Sequence, residues 1–263
     1  MNTNLQGKVV LITGASKGIG KGAALMLAGE GARLALCARD DKALKLAADE
    51  IQAQTHADVL TVKANMTKSN DIHRFVSAAI NKFDHIDILI NNAGSANIGG
   101  ILTTTDEDWE YQIQLKLLGY IRMAREVIPY MKTNGGGKII NIVGMAAKEP
   151  NPLYMVSGVT NAALLNFTKS LSKELEKDNI TVNSINPTTT DTPLTEEMFA
   201  KHAGLLQKTP EELRQSSIAS MPGGKLASVE NIANVILFLA SDASTYLNGI
   251  SINVDAGKSL GLW

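Results

Sequence analysis

Short runs rich in β-branched residues recur seven times along the chain, at Val9 to Thr13, Arg33 to Ala38, Val59 to Ala64, Ile86 to Asn91, Lys138 to Val143, Thr181 to Asn186 and Ser251 to Val254. Between them lie segments with apolar residues three or four apart, such as Leu44, Ala47, Ala48 and Ile51, then Ile72, Phe75, Val76, Ala79, Ile80 and Phe83. Strands that alternate with helices are joined by right-handed crossovers, so the pattern predicts a parallel, doubly wound sheet with helices on both faces. With 263 residues, 44% of them apolar, a single α/β domain with a full core accounts for the whole chain. One interval breaks the alternation. Pro193 to Gly224 carries Pro193, Pro210, Pro222, Gly223 and Gly224 around two polar, helix-like pieces, as in a lid or binding loop; a solvated surface hairpin is the alternative.

Charge and composition remove several function classes. A formal net charge of -1, with no run of Lys or Arg, gives no pull toward nucleic acid or an anionic membrane. No apolar stretch approaches the ~18 residues of a membrane span, and the start MNTNLQGKVV lacks a signal-peptide pattern. The expectation is a soluble cytoplasmic protein, in which the sequons at Asn65, Asn166 and Asn179 have no role. Cys37 stands alone in an apolar run, as a small buried hydrophobe. His56, His73, His85 and His202 are dispersed without ligand spacing, so no metal site is expected. Gly135 to Lys138 reads GGGK but leads into a strand, which makes it a turn rather than a phosphate loop.

The chemistry-bearing motif is TGASKGIG, Thr13 to Gly20, which follows the first strand and opens a helix. Gly14 permits a sharp turn, Gly18 lets backbone approach a pyrophosphate, and Gly20 allows close packing, while the helix N-terminus faces the anion. Three further segments accompany it: NNAG at Asn91 to Gly94, Pro187 with Thr192 in a PxxxxT spacing, and VDAG at Val254 to Gly257. Together these resemble the short-chain dehydrogenase/reductase family over essentially the whole chain. The resemblance implies a Rossmann-type fold with a seven-stranded parallel sheet. It also implies a dinucleotide held by Gly14, Ser16, Lys17, Gly18, Ile19, Gly20, Arg39, Asn65, Met66, Asn91, Ala93, Gly94, Asn161, Pro187 and Thr192.

Cofactor choice follows from charge. The second strand of an NAD-binding fold normally ends with an acidic residue for the ribose 2′-hydroxyl; here Ala38 holds that position and Arg39 follows. Arg39 with Lys17 suits a 2′-phosphate, which favours NADP(H). Asp40 and Asp41 fit the first turn of the next helix. Asn65 falls where the family usually has an aspartate beside the adenine, and its side-chain carbonyl is suited to the same acceptor role.

At the reacting end the chain departs from the family. NAALLNFTKSL resembles the helix that carries the family's lysine, which places Asn161 on the lysine, Ser157 on the tyrosine four residues earlier, and Gly144 on the serine. The family's fourth residue, an asparagine, falls on Lys116. In the family the tyrosine is the proton donor and the lysine lowers its pKa. Tyr154 offers a second comparison, since YMVSGVTN resembles the Tyr-x6-Lys segment of enoyl-acyl-carrier-protein reductases, with Asn161 at the lysine; a wall of the substrate cleft is its other reading. Dienoyl-CoA reductases likewise place a serine where Ser157 falls. Candidate catalytic residues are therefore Tyr154 as hydroxyl, Lys116 as supporting charge, Ser157 and Asn161.

The leading expectation is an NADP(H)-dependent oxidoreductase with a remodelled proton relay, acting on a small carbonyl or alcohol or an activated C=C substrate. A non-catalytic NADP(H)-binding scaffold and a non-redox lyase or isomerase are the alternatives. Ile98, Met145, Leu153, Met155, Leu194, Met198 and Phe199 are candidate cleft lining. Apolar positions from Asp108 through Ala124 and from Ser157 through Leu171, read as two helices, and the tail Ser259 to Trp263 predict a homotetramer, with a dimer as fallback.

Overall fold

The computed structural model describes residues 3–95 and 98–261. Among them the chain alternates β1 (Val9–Thr13), α1 (Gly18–Gly29), β2 (Arg33–Ala38), α2 (Asp41–Thr55), β3 (Val59–Lys63), α3 (Ser69–Phe83) and β4 (Ile88–Asn91). The second half continues with α4 (Asp106–Gln112), a π turn (Ile113–Leu117), α5 (Leu118–Thr133), β5 (Gly137–Ile142), α6 (Met155–Glu174), β6 (Ile180–Pro187), α7 (Pro193–Leu206), α8 (Pro210–Ala219), α9 (Val229–Ala240) and β7 (Ser251–Val254). The seven strands form one sheet in the order β3-β2-β1-β4-β5-β6-β7. Every pairing in it is parallel.

Side-chain alternation along β1 builds the layers. Val10 and Ile12 pack with Ala23 and Leu27 of α1, Leu44 and Ile51 of α2, and Ile232 and Ile236 of α9. Val9 and Leu11 point the other way, toward Ile72 and Phe75 of α3, Met123 and Val127 of α5, and Leu171 of α6. Cys37 is wholly buried in this second layer. β4 begins two residues later than the sequence pattern suggests, because the Asp87 carboxylate, rather than a strand carbonyl, accepts the Val9 amide at 2.8 Å.

Sequence order reverses between β1 and β4, which are neighbours in the sheet but far apart in the chain. In an open α/β sheet this switch point leaves a crevice at the carboxyl ends of the strands. A cleft of about 1260 Å³ opens there, above the typical ~300–1,000 Å³ of a small-ligand pocket.

Two segments shape its walls. The stretch Asp108 to Ala124, read from the sequence as one helix, is instead α4 and α5 joined by the π turn. An inserted π turn rotates the downstream residues around the helix axis, and such turns cluster at functional sites. The interval after β6 folds as the helical pair α7 and α8, packed on one another through Met198, Phe199 and Leu213. Thr192 caps α7 with Pro193 at its start, and Thr209 with Glu212 forms a capping box on α8 behind Pro210. Arg214 of α8 binds Asp191 and Glu196, which ties the pair to the end of β6.

No described helix is long and apolar enough to cross a membrane.

Candidate active site

The floor of the cleft is the glycine loop between β1 and α1. Gly14 and Gly18 have φ of +68° and +57°, a region open to glycine at little cost. A β-carbon on Gly14 would stand 2.9 Å from Ala93 Cα, and one on Gly20 would overlap the Gly14 carbonyl. These approaches weld the loop to the segment after β4: Thr13 Oγ1 accepts from the amides of Asn92 and Ala93 at 2.9 and 3.0 Å, and Asn92 Nδ2 donates to the carbonyls of Thr13 and Gly14. The α1 N-terminus meets the cleft at Gly18 and Ile19 with no acidic residue in its first turn, so its amides and dipole are left uncompensated and suit an anion. The cradle fits a pyrophosphate.

One end of the cleft is cationic. Ser16, Lys17, Arg39, Ala43 and Tyr111 line it, and Met66, Ala93, Gly94, Pro187 and Thr192 also face the cleft. Lys17 Nζ pairs with Glu197 of α7 at 2.5 Å, and Arg39 Nη1 donates to Tyr111 Oη at 2.5 Å. Three expected contacts are not brought to the lining: Gly20, which packs against the Gly14 carbonyl behind the loop, Asn91 and Asn65. Asn91 is completely buried and donates to Asn141 Oδ1 at 3.0 Å within the sheet, while its neighbour Asn92 takes the place at the cleft. Asn65 turns its side-chain carbonyl to Thr67, accepting from that residue's amide and hydroxyl at 3.1 and 3.0 Å, so its acceptor is already engaged.

The other end holds Lys116, Gly144, Met145, Tyr154, Ser157 and Asn161. The π turn carries Lys116 inward, where its Nζ donates to the Val143 carbonyl just beyond β5. Only 9% of Lys116 is exposed, and burial alone pushes its pKa down to about 8. Ser157 and Asn161, four residues apart on α6, share one buried face, and Asn161 Oδ1 has no hydrogen-bond partner. An orphaned acceptor inside a cleft is a place for a ligand donor. Tyr154 is not joined to Lys116. Its hydroxyl donates to Met198 Sδ at 3.6 Å, its ring meets His202 edge-on at 6.4 Å, and burial raises its pKa. Of the apolar residues expected at the cleft, Met145, Leu194 and Met198 line it; Ile98 and Phe199 pack behind Tyr154, and Leu153 and Met155 are not in the wall.

Residues 14–259 match the family described as Enoyl-(Acyl carrier protein) reductase. A 3-oxoacyl-(acyl-carrier-protein) reductase of Thermotoga maritima is 34% identical over 256 residues, which covers 96% of this chain and 98% of that protein. The chain belongs to the short-chain dehydrogenase/reductase family. A counterpart from Aquifex aeolicus is 32% identical over 257 residues, with 98% of this chain and 99% of that protein covered. Among solved structures, L-sorbose reductase from Gluconobacter frateurii, complexed with NADPH and L-sorbose, superposes with a TM-score of 0.94 at 34% identity over 100% of both chains.

For a short-chain dehydrogenase/reductase, the site contains residues that sequence reasoning passed over. Tyr111 and Glu197 each grip a basic residue at the cationic end, 72 and 180 positions away along the chain. No local pattern announces such contacts. Asn92 was within reach, since NNAG offers two asparagines and strand alternation sends only one of them toward the cleft.

Proposed function

We propose that this chain is an NADP(H)-dependent oxidoreductase acting on a carbonyl/alcohol pair or an activated alkene, with Lys116 as its acid-base group. One observation carries the proposal: a lysine buried to 9% exposure in the cleft, with its pKa moved to about 8. A proton donor works best when its pKa lies near the operating pH, and the Tyr154 phenol has been moved the wrong way by burial. The names of the 3-oxoacyl and L-sorbose reductases support a ketone; the enoyl description of the matched family supports the alkene.

NADPH, when bound, supplies hydride to the substrate carbon. The glycine-loop amides would hold its pyrophosphate, Lys17 and Arg39 its 2′-phosphate, and Asn161 Oδ1 would accept from a ribose hydroxyl. An ammonium has three donors. With one on the Val143 carbonyl, Lys116 keeps others to hold the oxygen of a carbonyl substrate, and would give that oxygen the proton that completes an alcohol, the amine being reprotonated from solvent. Gly144, Ser157 and Asn161 in place of the family's serine, tyrosine and lysine are what make this relay different.

The test is NADPH consumption against ketones, enones and enoyl thioesters. Turnover supports the proposal. Tight cofactor binding without turnover makes the protein a scaffold, and product formed without nicotinamide oxidation makes it a lyase or isomerase.

We further propose a cytoplasmic homotetramer, or a dimer. Val159 of α6, Ile113 of the π turn and Tyr130 of α5 are 55%, 36% and 37% exposed, which is apolar area suited to a second copy. Trp263, expected at such an interface, lies outside the described residues. A monomer in light scattering at micromolar concentration overturns this assembly.

A further inference from the structure

The cationic end of the cleft is not held by charge pairing alone. Two carboxylates, Asp40 and Asp41, come directly after Arg39 in the sequence, and both are engaged elsewhere. Asp40 caps α2, accepting from the Ala43 amide at 3.0 Å, and Asp41 pairs with Lys45 at 2.7 Å. Lys17 is met by the Glu197 carboxylate of α7. Arg39 is met by a neutral hydroxyl, since one arm of its guanidinium donates to Tyr111 Oη. A phenol fixes the direction of the fork without neutralising it, and four of its five N–H donors remain for an anion.

We infer that Tyr111 is a positioning residue for recognition of the cofactor's 2′-phosphate. Tyr111 and Arg39 line the same end of the cleft as Lys17. Tyr111 stands near the end of α4, just before the π turn that delivers Lys116. A single short segment thus touches both ends of the cleft: Tyr111 orients Arg39, and Lys116, five residues later, reaches the Val143 carbonyl. An exposed arginine left to itself samples many rotamers, and a bidentate grip on phosphate is lost in most of them. Tethering one arm removes that cost before the ligand arrives.

The inference rests on the NADP(H) reading, and the experiment separates the two. Tyr111→Phe removes only the hydroxyl. Dissociation constants are measured calorimetrically on the full chain for NADPH, NADH, 2′,5′-ADP and 5′-AMP. Tyr111→Phe should weaken NADPH and 2′,5′-ADP by about 3- to 10-fold, the scale of one hydrogen bond, and leave NADH and 5′-AMP unchanged. In the Arg39→Ala background it should cause no further loss, because its effect passes through the arginine. Equal weakening of all four ligands would mean a merely structural tyrosine. Tighter NADPH binding would mean that Tyr111 holds Arg39 away from the phosphate. Either result overturns the inference, as does a Tyr111→Phe variant that binds like the parent while Arg39→Ala selectively loses NADPH. If Arg39→Ala itself leaves NADPH binding intact, the cofactor reading fails and the inference falls with it.

Discussion

Gly144 and Asn161 meet where β5 hands over to α6: a β-carbon added to Gly144 would lie 3.1 Å from Asn161 Nδ2. Gly144 has a φ of +121°, a conformation that side-chain-bearing residues rarely adopt. The two positions are therefore matched, and a side chain at position 144 does not fit this backbone. Gly144→Ser should lower stability by about 1–3 kcal/mol, the usual cost of such strain, as read from urea unfolding. An unchanged midpoint would show that the turn relaxes into an ordinary conformation.

Lys116 predicts a pH-dependent stability. Its pKa falls from 10.5 to about 8 on folding, so between those values the unfolded chain binds the proton that the folded chain releases. Stability then rises with pH across that window, and below about pH 8 the full cost of the buried charge is present. Relative to Lys116→Met, the parent should gain up to ~3 kcal/mol as pH rises from 7 toward 10.5. A constant difference between the two proteins would mean an unshifted lysine.

The same group should control turnover. Lys116→Met is expected to slow carbonyl or alkene reduction by about 10²-fold or more, the scale of a positioned acid, with cofactor affinity kept. Reduction by the parent should fall as pH rises through about 8, where the ammonium loses its proton. Tyr154→Phe should cost much less, because the Tyr154 hydroxyl is spent on Met198 of α7. If Tyr154→Phe is the severe variant and Lys116→Met the mild one, the phenol is the donor.

Arg39→Ala should weaken NADPH binding by about 1–3 kcal/mol, as for a lost charged hydrogen bond, and barely affect NADH. Fluorescence titration of both cofactors checks this. Equal losses would mean that Arg39 contacts a part common to both.

The strands were legible because their signals are local. β1, β2 and β7 occupy the ranges that β-branched runs marked out, and alternation along β1 feeds both layers of the core. Gly14 and Gly18 were legible for a similar reason, since positive φ at a fixed spacing after a strand is a property of the few residues concerned. The run from Asp108 to Ala124 was not: apolar spacing alone does not register one inserted residue per turn, and that insertion decides which way Lys116 faces.

By itself, then, the sequence determined a parallel α/β sheet and a glycine cradle at its switch point, because each is written in neighbouring residues. The tertiary structure decided what those residues touch. It turned Asn91 inward to Asn141, sent Tyr154 to Met198 of α7, and set Tyr111 against Arg39 and Lys116 against Val143. Hydrogen-bond geometry and burial are fixed by packing between elements distant in the chain, and a sequence pattern carries no distance between them.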